Sequence, residues 1–353
     1  MQSESTHKHI LVIRLSALGD VAMMVPVLTA LIAKYPQLKI TVLTRAFFKP
    51  LFMQLKNVSV LEAEVKGKHK GFSGLWKLYQ EVKNQNIDAV ADLHNVLRST
   101  ILKGYFKLGG FPFYQIDKGR KEKKALTTLK DKRFKPLKST HQRYADVFLK
   151  MGFTFDIGSA VALKQELFSE SNGIPFQKNS KKRIGIAPFA AHKGKMYPLH
   201  LMEAVITELQ KAEDYQIYLF GGGKQEEEIL VEIARRHSFC CNVAGKLKFS
   251  DELALISNLD LMVSMDSGNG HIAAMYGIPT VTLWGVTHPF AGFAPFGQDE
   301  NTILLADREK FPLIPTSIYG NKVPVGYEEV METILPHNVV AKIQEVLKKN
   351  RDI

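Results

Sequence analysis

The chain is 353 residues long, 45% hydrophobic and 23% charged, with a formal net charge of +12. That length favours two domains over one, and the composition is that of a globular chain, not a disordered one. Its two cysteines, Cys240 and Cys241, are adjacent. They offer no disulfide framework and no convincing metal site, which fits a reducing compartment. The opening MQSESTHKHILVIRL lacks a secretory pattern, and no apolar run approaches the ~18 residues of a membrane span. The expectation is a cytoplasmic protein.

In chain order, His9–Arg14 reads as a strand, followed by Leu15-Ser16-Ala17-Leu18-Gly19-Asp20. The apolar stripe Val21, Met24, Val25, Leu28, Leu31 and Ile32 predicts a helix over Val21–Tyr35, and Pro26 moves its start toward Met24. Strands at Lys39–Leu43, Val58–Leu61 and Asp88–Asp92, with a helix through Leu75–Asn84, continue the alternation. Glu166–Arg183 is polar and rich in turn formers, and reads as a linker. Beyond it, strands at Arg183–Ala187, Gln216–Phe220, Cys241–Ala244, Leu259–Val263 and Thr280–Trp284 alternate with helices. Those helices are Leu199–Lys211, Lys224–Arg236, Ser250–Ser257 and Ile272–Tyr276, and a last one covers Asn338–Lys349.

Strands separated by helices imply parallel sheets covered on both faces. The predicted fold class is α/β, with two doubly wound Rossmann-like domains, 1–170 and 180–336, facing across a cleft. The helix within 337–353 has the option of packing back on the first domain.

Strand-to-helix junctions of such sheets are where ligands bind, so they supply the candidate residues. Asp20 is either a helix cap or a base, with Arg14 and Ser16 close enough to orient it. Lys193 and Lys195, in HKGKMYP, are either solvated loop lysines or partners for a phosphate. Gly221-Gly222-Gly223 permits close backbone approach but has no nucleotide-loop spacing. A helix starting near Ser267 would aim its amide groups at an anion, with His271 near the same anion. Asp266 would compete with that anion unless bonded elsewhere, or it is simply a cap. Between Lys118 and Arg143 lie eleven Lys/Arg and two Asp/Glu. That segment, with Lys121, Lys123, Lys124 and Arg133, is either a solvated face or an attractor of acidic ligands. Nucleic acid is disfavoured, because no recognition motif accompanies it.

RLSALGD at Arg14–Asp20, HKGKMYP at His192–Pro198, FGGGKQEE at Phe220–Glu227 and the long run from Asn242 to Pro289 together resemble glycosyltransferase family 9. These are the ADP-heptose:lipopolysaccharide heptosyltransferases. The resemblance implies the two-lobed GT-B fold, an acceptor-binding N-terminal lobe, and inverting transfer without a required metal or other cofactor. It implies an ADP-sugar donor and an acidic glycolipid acceptor, reached from the inner face of a membrane. Asp20 matches the proposed base and Lys195 the donor-phosphate contact. Asp266, Ser267, Gly268 and His271 match the donor signature, and Ser16, Gly19, Gly222 and Gly223 join that set. Gln225 or Glu226 matches the ribose contact. Arg14 and the four basic residues of the 118–143 segment are assigned to the acceptor. Gly270 departs from the bulkier residue of the family and is expected to loosen the helix start. The rival readings are a nucleotide-sugar epimerase of similar plan and a degenerate sugar-binding relative.

Overall fold

The computed structural model describes residues 6–168, 174–176, 181–211 and 214–349. The chain forms two compact units: Met1–Arg120 with Lys138–Ala162, and Lys121–Leu137 with Leu163–Ile353.

The first unit runs β1 (His9–Ile13), α1 (Leu18–Ala22), α2 (Met24–Lys34), β2 (Lys39–Thr44), β3 (Val58–Glu62), α3 (Gly71–Lys83) and β4 (Ala89–Asp92). It continues through α4 (Leu97–Leu108), β5 (Phe113–Gln115) and α6 (Thr140–Lys150). Helix α5 (Arg120–Thr127), which lies between β5 and α6 in the chain, falls in the second unit from Lys121 on. Its five strands are parallel in the order β3-β2-β1-β4-β5. Strands β1 and β4 are buried almost throughout, as sheets covered by helices require.

The helix expected over Val21–Tyr35 is two helices meeting at Met23. Pro26 explains the break, because it has no N–H for the Ala22 carbonyl and its ring crowds that position.

The second unit contains β6 (Lys182–Ala187), α7 (Leu199–Gln210), β7 (Tyr215–Leu219), α8 (Lys224–Arg236), β8 (Cys240–Asn242) and α9 (Phe249–Ile256). Then come β9 (Leu261–Met265), α10 (Gly268–Met275), β10 (Thr280–Trp284), β11 (Ile303–Leu305) and α11 (Pro336–Lys349). The six parallel strands are ordered β11-β10-β9-β6-β7-β8.

Three expectations about boundaries are corrected. Helix α11, expected to have the option of returning to the first domain, buries Val339, Ile343 and Leu347 in the core of the second unit with α7. Its apolar stripe matches the groove left by α7 and β9. The basic stretch 121–137, expected within the first domain, belongs to the second unit. There the Leu137 amide donates to the Phe290 carbonyl, and the Lys132 ammonium to the carbonyls of Leu313 and Pro315. The expected linker starts as docked chain: the Glu166 amide donates to Ser257 Oγ at 2.9 Å, and Tyr276 donates to the Glu166 carboxylate at 2.5 Å. Its residues 169–173 and 177–180 lie outside the described residues.

Candidate functional site

In each sheet the strand order reverses once, between β1 and β4 in the first unit and between β6 and β9 in the second. Loops leaving neighbouring strands in opposite directions open a crevice at that point. Asp20 with Arg14 and Ser16 follows β1 at the first reversal, and Lys195 and Asp266 follow β6 and β9 at the second. The glycine run instead follows β7, and the basic residues lie in 121–137.

In the first unit, Arg14 follows β1 and is buried. Its guanidinium lies 2.5 Å from Asp20 Oδ2 and donates to the Leu93 carbonyl at 2.6 Å. Asp20, in α1, also accepts from the Ala17 amide at 3.3 Å. Helix capping and ion pairing thus hold the same carboxylate oxygen, while the side chain stays 27% exposed. Tyr144 of α6 is fully buried beneath and donates to the Asp20 carbonyl at 3.1 Å.

At the end of β4, buried Asp92 accepts from the amides of His94 and Asn95 and from Gln115. That turn sets the His94 ring against Ser16 Oγ at 3.4 Å. Burial, then Arg14 and Lys118, pushes the His94 pKa down to about 3. Lys118 is half-buried, and burial followed by Arg14 lowers its pKa. Sequence reasoning did not single out His94, Asp92, Lys118 or Tyr144. Asp92 and His94 were within reach as polar residues at a strand's carboxyl end.

The second unit gathers its residues around β6, β9 and β10. Lys195 Nζ lies 3.2 Å from Asp266 Oδ2, and both side chains are largely buried. Asp266 is therefore bonded aside, as an anion site at this helix start requires. Ser267 is the N-cap of α10, and its buried hydroxyl has no partner among the described residues. The Thr287 hydroxyl, after neighbouring β10, is likewise buried and without a partner among the described residues. Such hydroxyls are rare in interiors and fit a polar ligand. Gly268 opens α10, and His271 is buried one turn further on.

Lys195 is positioned by glycines that sequence reasoning missed. A Cβ at Gly320, which has φ +80°, would lie within van der Waals overlap of the Lys195 stem. One at Gly194 would meet Val286 and the Gly320 carbonyl at 2.6 and 2.7 Å. The Val286 amide donates to the Gly194 carbonyl at 3.0 Å, fastening this turn to the exit of β10. Tyr197 is buried and donates to the Ile334 carbonyl at 2.6 Å.

The glycine run ends β7 and caps α8 at Gly223, with φ +90°. Gly222 and Gly223 face open space. The Glu226 carboxylate folds back to accept from the Gly222 amide at 2.7 Å, and Gln225 is exposed.

Several assignments change. Gly270 does not loosen α10: a Cβ there would lie 2.5 Å from Ser264 Oγ, so the glycine lets the helix sit directly on β9. Arg14 is closed off by Asp20 and the Leu93 carbonyl, so it is a support for the carboxylate and not an open acceptor contact. Lys123 is also withdrawn from that role. It is buried with its ammonium 4.1 Å from the Phe293 ring centre. Lys121, Lys124 and Arg133 are exposed.

Two doubly wound units, each with polar groups at its sheet's reversal point, are the plan of the GT-B fold, which the structural similarities below bear out. The sequence model of glycosyltransferase family 9 (heptosyltransferase) matches residues 75–315, and the chain belongs to that family. It is 28% identical over 303 residues to the lipopolysaccharide core heptosyltransferase OpsX of Haemophilus influenzae, covering 84% of each chain. Its fold is similar to the family 9 glycosyltransferase of Veillonella parvula, with a TM-score of 0.74 at 19% identity over 99% of each chain. It is also similar to Escherichia coli heptosyltransferase WaaC with ADP, at a TM-score of 0.66 and 15% identity, covering 96% of this chain and 99% of that one.

Proposed function

We propose that this enzyme moves a heptose from ADP-heptose to an acceptor sugar of the lipopolysaccharide core, inverting the sugar carbon. The observation that carries the reading is the Lys195–Asp266 pair at the start of α10, within the matched family region. The relatives agree with it: OpsX is a lipopolysaccharide core heptosyltransferase, and the WaaC structure contains ADP.

The donor diphosphate binds at the start of α10. Backbone N–H groups and the positive end of the helix face it, with Lys195 as the mobile charge. Asp266 holds Lys195 before the donor arrives and is free to bond a sugar hydroxyl once the lysine turns to phosphate. Ser267 and Thr287 supply hydroxyls to the same ligand. Glu226 or Gln225 meets the ribose.

Asp20 takes the proton from the acceptor hydroxyl as that oxygen attacks the anomeric carbon and the bond to the diphosphate breaks. Positive charge grows on the sugar and negative charge on departing ADP, which Lys195 and the helix start stabilise. Arg14 keeps the Asp20 carboxylate oriented, leaving Oδ1 to accept the proton. Residues of this chain thus cover each charge that develops, and the reading requires no cofactor.

The test is ADP release by the purified protein from ADP-heptose, with and without a lipopolysaccharide core acceptor. Release that depends on acceptor supports transfer. Acceptor-independent release of altered free sugar would support an epimerase, and binding without release a degenerate protein.

A further inference from the structure

We propose that the α3–α4 edge of the first unit docks onto an anionic lipid bilayer. The N-terminal turns of α3 and α4 enclose a groove of about 410 Å³, lined by Phe72, Leu75, Val96, Leu97, Ile101 and Arg98. Its rims protrude: Phe72 is 70% exposed, Leu97 78%, and Trp76, one turn along α3, 46%. Single exposed apolar residues are ordinary, but large ones gathered on one edge mark an interaction surface. These side chains stand on ordered supports. The Trp76 ring meets Tyr105 edge-on at 5.1 Å, and Tyr105 donates to the Phe72 carbonyl at 3.2 Å.

Charge selects the occupant. Residues 65–80 and 96–108 together hold seven Lys/Arg and no Asp/Glu. The nearby acids Glu64 and Glu81 are paired with Lys68, and Glu81 also with His69. Lys66, Lys70, Lys77 and Arg98 have no ion-pair partner among the described residues. Basic side chains around protruding aromatic and aliphatic ones suit the boundary between anionic headgroups and acyl chains. Trp76 and Phe72 supply the rings that favour that depth, and Leu97 the aliphatic insertion.

The placement also suits the chemistry. His94 lies in the loop that leaves β4, just before Val96 and the start of α4 at Leu97, and it meets Ser16 in the crevice containing Asp20. A glycolipid held in a bilayer at this edge would present its headgroup beside Asp20. That purpose rests on the proposed acceptor; the docking itself does not.

The experiment is co-sedimentation of the full chain with phosphatidylcholine vesicles, with and without phosphatidylglycerol, beside the variants F72S/L97S and K66Q/K70Q/K77Q. The wild type should bind the anionic vesicles, with affinity falling as salt rises. K66Q/K70Q/K77Q should bind at least about tenfold more weakly, since each basic residue near such a surface is worth about fivefold. F72S/L97S should lose about tenfold or more, because two large apolar side chains are no longer buried among acyl chains. Melting temperatures and ADP release toward a lipid-free acceptor should stay near wild type. Equal vesicle binding by both variants, or no binding by the wild type, would overturn the proposal. So would an oligomer that F72S/L97S dissociates while vesicle binding persists, because the edge would then face a second copy. Vesicle binding is read without turnover, so failure of the heptosyltransferase reading would be seen separately.

Discussion

Lys195 Nζ lies 3.2 Å from Asp266 Oδ2, with side chains only 14% and 8% exposed. In that environment the pair is costly to break from one side. Lys195→Gln should leave Asp266 buried without its counter-charge and lower stability by about 1–3 kcal/mol. Donor affinity should fall about 10- to 100-fold through loss of a charged phosphate contact. Calorimetric titration with ADP and thermal melting check the two effects, and unchanged ADP affinity would remove Lys195 from the donor site.

Gly320 controls where that lysine sits. A Cβ at Gly320 collides with the Lys195 side chain, and φ of +80° disfavours any L residue. Gly320→Ala is expected to weaken ADP binding while disturbing the core little, since the collision is with a flexible stem. Gly104→Ala, in the first unit and with a Cβ that would enter open space, is the control.

Gly270→Met tests the packing of α10. Its Cβ alone would come within 2.5 Å of Ser264 Oγ, against the floor formed by β9. Overpacking of this kind costs about 1–3 kcal/mol. Denaturant unfolding should show that loss; a variant as stable as wild type would mean that the helix start has slack.

Stability should depend on pH through two buried histidines and one half-buried glutamate. His94 is pushed down to about 3 by burial and then by Arg14, and His288 to about 4 by burial and then by Arg308. The unfolded chain binds these protons first, so their contribution is fully present above about pH 6.5 and is lost as pH falls toward 4. Glu252 runs the other way, because burial pushes its carboxyl up to about 7. Its contribution is complete below about pH 4.5 and is lost as pH rises through 7. Two histidines outweigh one glutamate between about pH 4.5 and 6.5, so stability should peak near pH 6.5. Glu252→Gln should steepen the loss on the acid side, as read from melting temperatures across that range.

The alternation of strands and helices was legible because buried parallel strands are short apolar runs, such as Thr280–Trp284, which the structure reproduces residue for residue. Asp20, Lys195 and the Ser267 region stood out because polar residues interrupt those runs at strand-to-helix junctions. What the sequence concealed is long-range. Lys195 and Asp266 are 71 positions apart, and the need for Gly270 comes from Ser264 across a helix–sheet contact. The stretch 121–137 misled for a physical reason. Its charge density reads as a solvated face, yet Lys123 lies against Phe293, and the Phe134 ring is covered by Arg308 at 3.5 Å. Long basic side chains carry apolar stems, so charge alone does not place them in water.

The most direct measurement is acceptor-dependent ADP release by Asp20→Asn, beside ADP-heptose affinity of the same preparation. The substitution removes the base but keeps the size of a side chain held at 2.5 Å by Arg14. Donor affinity should stay close to wild type, because Lys195 and Asp266 belong to the other unit. Turnover should drop about 10²–10⁴-fold. Turnover equal to wild type would contradict the assignment of Asp20 as the group that takes the acceptor's proton.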